Sequence, residues 1–91
     1  MSYIIKTQQK TAARKLGVTI RPSTVKGKKI SVYKNGEKIA DIGATGYGDY
    51  WTYYQSDRYL ARSKRESYQA RHQGEQNKIG SPGYYAWYIL W

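Results

Sequence analysis

The side chains that could take part in catalysis or metal binding are few and scattered. The sequence has one histidine, His72, no cysteine, and six carboxylates spread between Glu37 and Glu75. Zinc sites need clustered Cys and His ligands, and acid–base catalysis needs titratable groups that are held together. No spacing in the sequence indicates such a cluster or pair. We therefore expect a protein that is not an enzyme, has no cofactor, binds no metal ion and has no small-molecule substrate.

The abundant polar side chains are cationic. Sixteen Lys and Arg against six Asp and Glu give a formal charge of +10. The chain is strongly basic up to Lys38, has only acids from Ile39 to Asp57, and is basic again from Arg58 to Lys78. Such a field attracts phosphate chains or acidic protein surfaces. The candidate partner- or nucleic-acid-binding residues are Lys6, Lys10, Arg14, Lys15, Arg21, Lys26, Lys28, Lys29, Arg58, Arg62, Arg65, Arg71 and His72.

The aromatic residues almost all carry a polar group. There are 11 Tyr, 3 Trp and no Phe. Rings of this kind suit half-buried surfaces and interfaces, where one end is apolar and the other is wet. The alternative is that a small domain with few aliphatic residues uses Tyr and Trp to build its core. Both interpretations remain open at this point.

The elements that would position these side chains begin with a basic N-terminal arm over residues 1–28. It includes a short helix from Thr7, the expected cap, to Leu16, and Gly17 ends that helix. Residues 18–29 read as an extended connection, and we expect the arm to reach outward. The alternative is a helix-turn-helix over this region. Pro22 and Gly27 disfavour it, because they leave too little room for a recognition helix.

A β-hairpin is predicted over residues 29–43, around a type I′ turn at Asn35-Gly36. The predicted pairs are Lys34 with Glu37, Tyr33 with Lys38, and Val32 with Ile39. This register places Ile30 opposite Asp41, which indicates a bulge or a sheet edge. The glycine-rich loop from Gly43 to Gly48 is interpreted as a plain connection. A phosphate cradle is the alternative, but no Lys-Ser/Thr pair follows the glycines.

A helical region is predicted over residues 49–73. Asp49 caps its first segment, and a second helix runs from Asp57 to about Gln73, where Gly74 ends it. Two stripes follow from helical spacing. One holds Arg58, Arg62, Arg65 and Gln69, and the other holds Leu60, Ala61, Lys64, Tyr68 and Arg71.

A C-terminal aromatic segment over residues 81–91 follows, with Ser81 as cap and Pro82 at the first helical position. A strand is the alternative for this segment. Together these elements predict one small α+β domain over residues 29–91, with the hairpin packed against helices, an aromatic C-terminal helix and the N-terminal arm. No apolar run is long enough to span a membrane.

Three groups of motifs resemble a known set of proteins. The first runs from Lys10-Thr11-Ala12 through Leu16-Gly17-Val18-Thr19 and Arg21-Pro22-Ser23 to Gly27-Lys28-Lys29-Ile30-Ser31-Val32-Tyr33. The second is Asp49-Tyr50-Trp51-Thr52-Tyr53. The third joins Tyr68-Gln69-Ala70-Arg71-His72 with Gly80-Ser81-Pro82-Gly83-Tyr84-Tyr85-Ala86 and Ile89-Leu90-Trp91. With these motifs the chain resembles a family of small, basic proteins from large double-stranded DNA viruses of algae and protists. Arg65, Tyr68, Arg71, His72 and Trp91 are also similar, more weakly, to a pattern in small head-assembly proteins of tailed phages.

These resemblances imply a role in a virus particle. We expect a non-enzymatic structural component, such as a minor capsid protein, that binds neighbouring virion or capsid proteins. Its location would be the virion, and the host cytoplasm or nucleus before assembly. The alternative is a basic nucleic-acid-binding protein that contacts the phosphate backbone of viral DNA or RNA. A steep salt dependence of binding would favour that alternative.

Overall fold

Four α-helices and a three-stranded antiparallel sheet form along residues 3–91, the part of the chain that this computed structural model describes. The predicted α+β class and its single domain are confirmed. The helices are α1 (Thr7–Lys15), α2 (Tyr50–Ser56), α3 (Arg58–Arg71) and α4 (Pro82–Ile89). The strands are β1 (Thr19–Pro22), β2 (Lys28–Lys34) and β3 (Glu37–Ala44), and a 3₁₀ turn spans Glu75–Asn77. No helix within residues 3–91 has the length and apolar character that crossing a bilayer requires.

The hairpin between β2 and β3 confirms the predicted turn. Asn35 has a φ of 54° and Gly36 a φ of 80°, as a type I′ turn requires at both central positions. The first two predicted pairs form, and a bulge at Val32/Tyr33 then shifts the register.

The shifted register decides which side chains are buried. Val32 lies opposite Ala40 and Ile30 opposite Ile42, so the predicted pair of Val32 with Ile39 is wrong. The bulge puts Ile30 and Ile42 on the same inner face of the sheet, where both are fully buried. Ile39 remains exposed. The anticipated mismatch of Ile30 with Asp41 is thereby avoided.

The N-terminal segment differs from the expected outward arm. Residues 19–22 form β1, which pairs with β2 and ends at Pro22, and α1 packs against α4 and β1. Ala13 and Val18 are buried in the core. A helix this short is marginal in water unless it docks, and docking on the domain supplies that stabilisation. Because β1 follows Gly17, there is no recognition helix at this place. Met1 and Ser2, the first residues of the predicted arm, lie outside the described part of the chain.

Most of the predicted helix boundaries are confirmed. Asp57 caps α3 by accepting from the Tyr59 amide at 2.9 Å, and Ser81 caps α4 by accepting from the Tyr84 amide at 3.1 Å. At α1 the cap is Lys6, whose amide donates to the Gln9 side chain at 2.9 Å. The predicted cap Thr7 lies inside this helix instead. The C-terminal aromatic segment is the helix α4, not a strand.

The core lies between one face of the sheet and the helices α1 and α4. Its buried members are Ala13, Val18, Ile30, Val32, Ala40, Ile42, Tyr85, Ile89 and Leu90. The pair formed by α2 and α3 joins this core through aromatic rings. The Tyr68 and Trp91 ring centroids are 4.7 Å apart, and those of Tyr53 and Trp91 are 6.4 Å apart. The Tyr50 amide also donates to the Leu90 carbonyl at 3.0 Å.

Candidate functional site

A cleft of about 530 Å³ separates α3 from the end of the β2–β3 hairpin. The sheet contributes Lys28 and Gly43 to its lining, and the loop before α2 contributes Tyr47. The opposite wall is α3, and Trp91 lies beside it. The volume is typical of pockets that take a drug-sized molecule.

Three exposed cations line this cleft. Lys28 begins β2, and Lys64 and Arg71 lie seven residues apart on one stripe of α3. Within residues 3–91 none of the three takes part in an ion pair. The Lys64 ammonium lies 5.6 Å from the centroid of the Tyr53 ring, another lining residue. The carboxylate that contributes to the lining, Asp49, has its own buried counter-ion, so the cleft has a net positive charge.

Stacked rings form the wall of the cleft beside α3. The Tyr68 ring lies between His72, at 4.3 Å and 22°, and Trp91, at 4.7 Å and 12°. Burial, with the nearby Glu75 carboxylate, raises the pKa of Tyr68 to about 12, so its hydroxyl is protonated at neutral pH. The His72 Nδ1 atom lies 2.9 Å from a Glu75 carboxylate oxygen, which fixes the orientation of the imidazole.

On the side of the cleft that faces α3, Asp49 holds together a buried wall. Its Oδ2 atom lies 3.2 Å from the Lys29 ammonium and accepts from the Tyr3 hydroxyl at 2.6 Å. Its Oδ1 atom accepts from the amide and the hydroxyl of Thr52, both at 3.0 Å. The side chains of Lys29 and Asp49 are 6% and 1% exposed, so this is a buried ion pair. Lys29 also donates to the Tyr47 carbonyl, which anchors the loop beside the cleft.

The pKa values of the titratable groups in this wall follow from their burial and their contacts. Burial alone would raise the pKa of Asp49, but the hydrogen bonds from Tyr3 and Thr52 and the charge of Lys29 lower it overall. Burial, together with the hydrogen bond to Asp49, raises the pKa of Tyr3. The Tyr3 hydroxyl accepts from the Lys6 ammonium at 2.9 Å and from the Gln9 amide group at 2.8 Å. Burial lowers the pKa of Lys6, with Asp49 opposing that effect. The network thus fastens the start of α1 to the start of α2.

The structure brings four of the thirteen predicted binding residues to the cleft: Lys28, Lys29, Arg71 and His72. Lys29 differs from the expectation because its ammonium is committed to Asp49 and Tyr47 rather than to a partner. Lys6 is likewise committed to the wall, with hydrogen bonds to Tyr3 and Thr52.

The other predicted binding residues lie away from the cleft. Exposed positions on α1 and in the turn before β2 hold Lys10, Arg14, Lys15 and Lys26. The guanidinium of Arg21 lies 5.3 Å from the Tyr33 ring centroid on the open face of the sheet.

The predicted arginine stripe of α3 is divided. Arg58 and Arg62 are exposed, and Arg62 faces Glu66 at 3.6 Å. Arg65 instead lies 3.6 Å from the Tyr50 ring centroid, and its Nε atom is buried without a hydrogen-bond partner. Its role is therefore the packing of α3 on α2.

Four residues that line the cleft were not predicted as binding residues: Lys64, Tyr47, Tyr53 and Trp91. A signal existed for Lys64, because its spacing to Tyr68 and Arg71 puts the three on one stripe of α3. Of that stripe, only Arg71 was predicted as a binding residue. For Tyr47 no local signal exists, because only the tertiary fold brings its loop beside α3.

No group of three or more His, Asp and Glu side chains within residues 3–91 is arranged to hold a metal ion. Comparisons with family models, with curated proteins and with solved structures find no match to this chain. The resemblance to viral proteins therefore stays a prediction.

Proposed function

We propose that this protein is a non-enzymatic nucleic-acid-binding protein whose binding site is the cleft between α3 and the hairpin. The observation that carries the proposal is the arrangement of Lys28, Lys64 and Arg71 around aromatic rings. Such a site has cations for a phosphate backbone and, in the exposed Tyr47 ring, a flat face for a base, the two components that proteins combine to bind nucleic acids.

The three cations are suited to phosphate because, within residues 3–91, none of them forms an ion pair with a carboxylate of the protein. An unpaired Lys or Arg that neutralises a phosphate releases condensed counter-ions, and this release supplies most of the sequence-independent affinity. Arg71 can in addition donate two parallel hydrogen bonds to one phosphate. The network around Asp49 holds the opposite wall in place before any ligand arrives, which lowers the entropic cost of binding.

The exposed outer face of α3 provides the control for the cleft. Arg58 and Arg62 lie on the same helix as Lys64 and Arg71 and carry the same charge, but outside the cleft. Arg62 has Glu66 as a neighbour, which offsets part of its positive potential. A purely electrostatic attraction to the whole basic molecule would use both faces equally, whereas a site in the cleft would not.

The test compares two double variants, Lys64→Ala/Arg71→Ala and Arg58→Ala/Arg62→Ala, each of which removes two positive charges from α3. Binding of a labelled oligonucleotide is measured by fluorescence anisotropy over a range of salt concentrations. We expect the cleft variant to bind much more weakly and to lose about 1.4 from the slope of log K against log salt, if both cations contact a single strand. The outer-face variant should change the slope far less. Equal effects of the two variants would contradict a site in the cleft.

The predicted structural role in a virus particle stays a prediction. That role predicts that the protein is still present in particle shells from which the nucleic acid has been removed. Mass spectrometry of such shells would test it directly. Under that role alone, the cleft variant would bind oligonucleotides no differently from the outer-face variant.

A further inference from the structure

We infer that the cleft takes a single strand of nucleic acid, with a base stacked on Tyr47, and does not take a duplex. The inference rests on the proposed function and adds the form of nucleic acid that is bound. Three features of the cleft lead to it: its size, the exposed ring at its opening, and the two-sided placement of its cations.

The size of the cleft fits one or a few nucleotides. Its 530 Å³ is a volume for a drug-sized molecule, which corresponds to a nucleotide or two rather than to two paired strands. In a duplex the bases stack on one another and offer only their edges to a protein. The flat aromatic surface in the cleft would then have no partner. In a single strand the base faces are free to stack on protein rings.

Tyr47 is the ring best placed to receive a base. It is 76% exposed, and its backbone is anchored by the hydrogen bond from the buried Lys29 ammonium to its carbonyl. Gly46, with a φ of 88°, makes the turn that precedes it. The ring is therefore open to a ligand while its attachment to the protein is fixed, so stacking would need little ordering of the loop.

The cations approach the cleft from two sides. Lys28 comes from the sheet, and Lys64 and Arg71 come from α3. A strand that runs between the hairpin and α3 would have a cation on either side of its phosphates and Tyr47 beside a base. A duplex resting across the opening could reach the rim cations, but its stacked bases would offer no free face to the Tyr47 ring.

The experiment measures the affinity of one labelled oligonucleotide of about ten nucleotides, as a single strand and as the matching duplex, at the same salt concentration. The full chain is used, with the variants Tyr47→Ala and Tyr47→Phe, and circular dichroism checks that each variant is folded. Tyr59→Ala is the matched control, because Tyr59 is 71% exposed and does not line the cleft. An unlabelled mononucleotide serves as competitor.

We expect the single strand to bind more tightly than the duplex. Tyr47→Ala should weaken binding of the single strand roughly tenfold without a comparable effect on the duplex, and Tyr47→Phe and Tyr59→Ala should bind like the unchanged protein. Equal or tighter binding of the duplex would overturn this inference and leave the proposed function standing. An equal loss of affinity for the single strand and the duplex in Tyr47→Ala would also overturn the inference. So would complete displacement of the single strand by an equal concentration of the mononucleotide. Failure of both forms to bind would overturn the proposed function itself.

Discussion

One carboxylate, Asp49, connects three separate stretches of the sequence. It caps α2 through Thr52, pairs with Lys29 from β2, and accepts from Tyr3 ahead of α1. A buried ammonium without a counter-ion is costly, because the charge loses its water and gains nothing in return. The side chains around Asp49 therefore depend on its negative charge more than on its shape.

Asp49→Asn tests this dependence with a nearly isosteric change. Asparagine still caps a helix well, so the cap to α2 is kept and the charge is lost. We expect the free energy of unfolding to fall by about 3 kcal/mol or more, since Lys29 would be buried without its partner. Denaturant unfolding measures the change.

The matched control is Arg62→Ala, which breaks the exposed pair with Glu66. It should change the free energy of unfolding by less than about 1 kcal/mol. If Asp49→Asn were as mild as this control, the buried pair would not hold the wall of the cleft together.

At the scale of elements, the features that depend on one or two neighbouring residues were predictable. The type I′ turn at Asn35-Gly36 and the caps Asp49 and Ser81 are local, because each side chain acts within about three residues of its own position. The faces of α3 also follow from helical spacing.

The features that depend on distant partners were predictable only in part. The mismatch of Ile30 with Asp41 indicated a bulge or a sheet edge, but the position of the bulge at Val32/Tyr33 depends on Ile30 and Ile42 both lying on the inner face of the sheet. β1 joins the sheet because Ile20 meets Val32, although its own sequence reads as a connection. Of the cleft, the sequence indicated Lys28, Lys29, Arg71 and His72 as binding residues, although Lys29 is committed to Asp49 and Tyr47. It could not indicate Tyr47, since nothing local relates that loop to α3.

The contact of Arg65 with Tyr50 predicts how α2 and α3 hold together. A guanidinium over a ring, partly removed from water, contributes up to about 2 kcal/mol, and the aliphatic stem adds apolar contact. Arg65→Ala should therefore lower the free energy of unfolding by about 1–2 kcal/mol. Denaturant unfolding measures the change, with Arg62→Ala on the same helix as the control.

A second substitution separates the two contributions. Arg65→Met keeps an apolar stem and removes both the charge and the unpartnered Nε atom, so it should lose less stability than Arg65→Ala. If both variants had the stability of the unchanged protein, the stacked arginine would not be a structural contact between the helices.

The molecule as a whole has a large excess of positive charge, and little of that charge is neutralised in buried ion pairs. Its formal charge is +10, and the buried ion pair within residues 3–91 is that of Lys29 and Asp49. Hydrogen bonds from Ser31, and the neighbouring Lys38 and Ser23, lower the pKa of Asp41 as well. Both aspartates are thus more acidic in the folded protein than the ordinary value of 3.8.

Acid should consequently unfold this protein. A carboxyl whose pKa is lowered by folding contributes stability that is fully present above its unfolded value and is lost as the pH falls through its folded value. We expect the melting temperature to fall steeply as the pH drops below 3.8, followed by circular dichroism. Protonation of the other carboxylates adds repulsion among the cations in the same range.

Asp49→Asn should show a shallower decline with acid than the unchanged protein, because one of the two linked groups is gone. A melting temperature that did not change on acidification would mean that neither aspartate is linked to folding.

The short strand β1 has a consequence for how the molecules behave when crowded together. A sheet that ends in a long, regular strand offers free amides and carbonyls to a strand of another molecule, which is how fibrils start. Here that border is four residues long, includes the charged side chain of Arg21, and lacks one amide hydrogen because it ends in Pro22. Growth of an intermolecular ribbon from this side is therefore blocked by the same residues that, in the sequence, made the segment look like a linker.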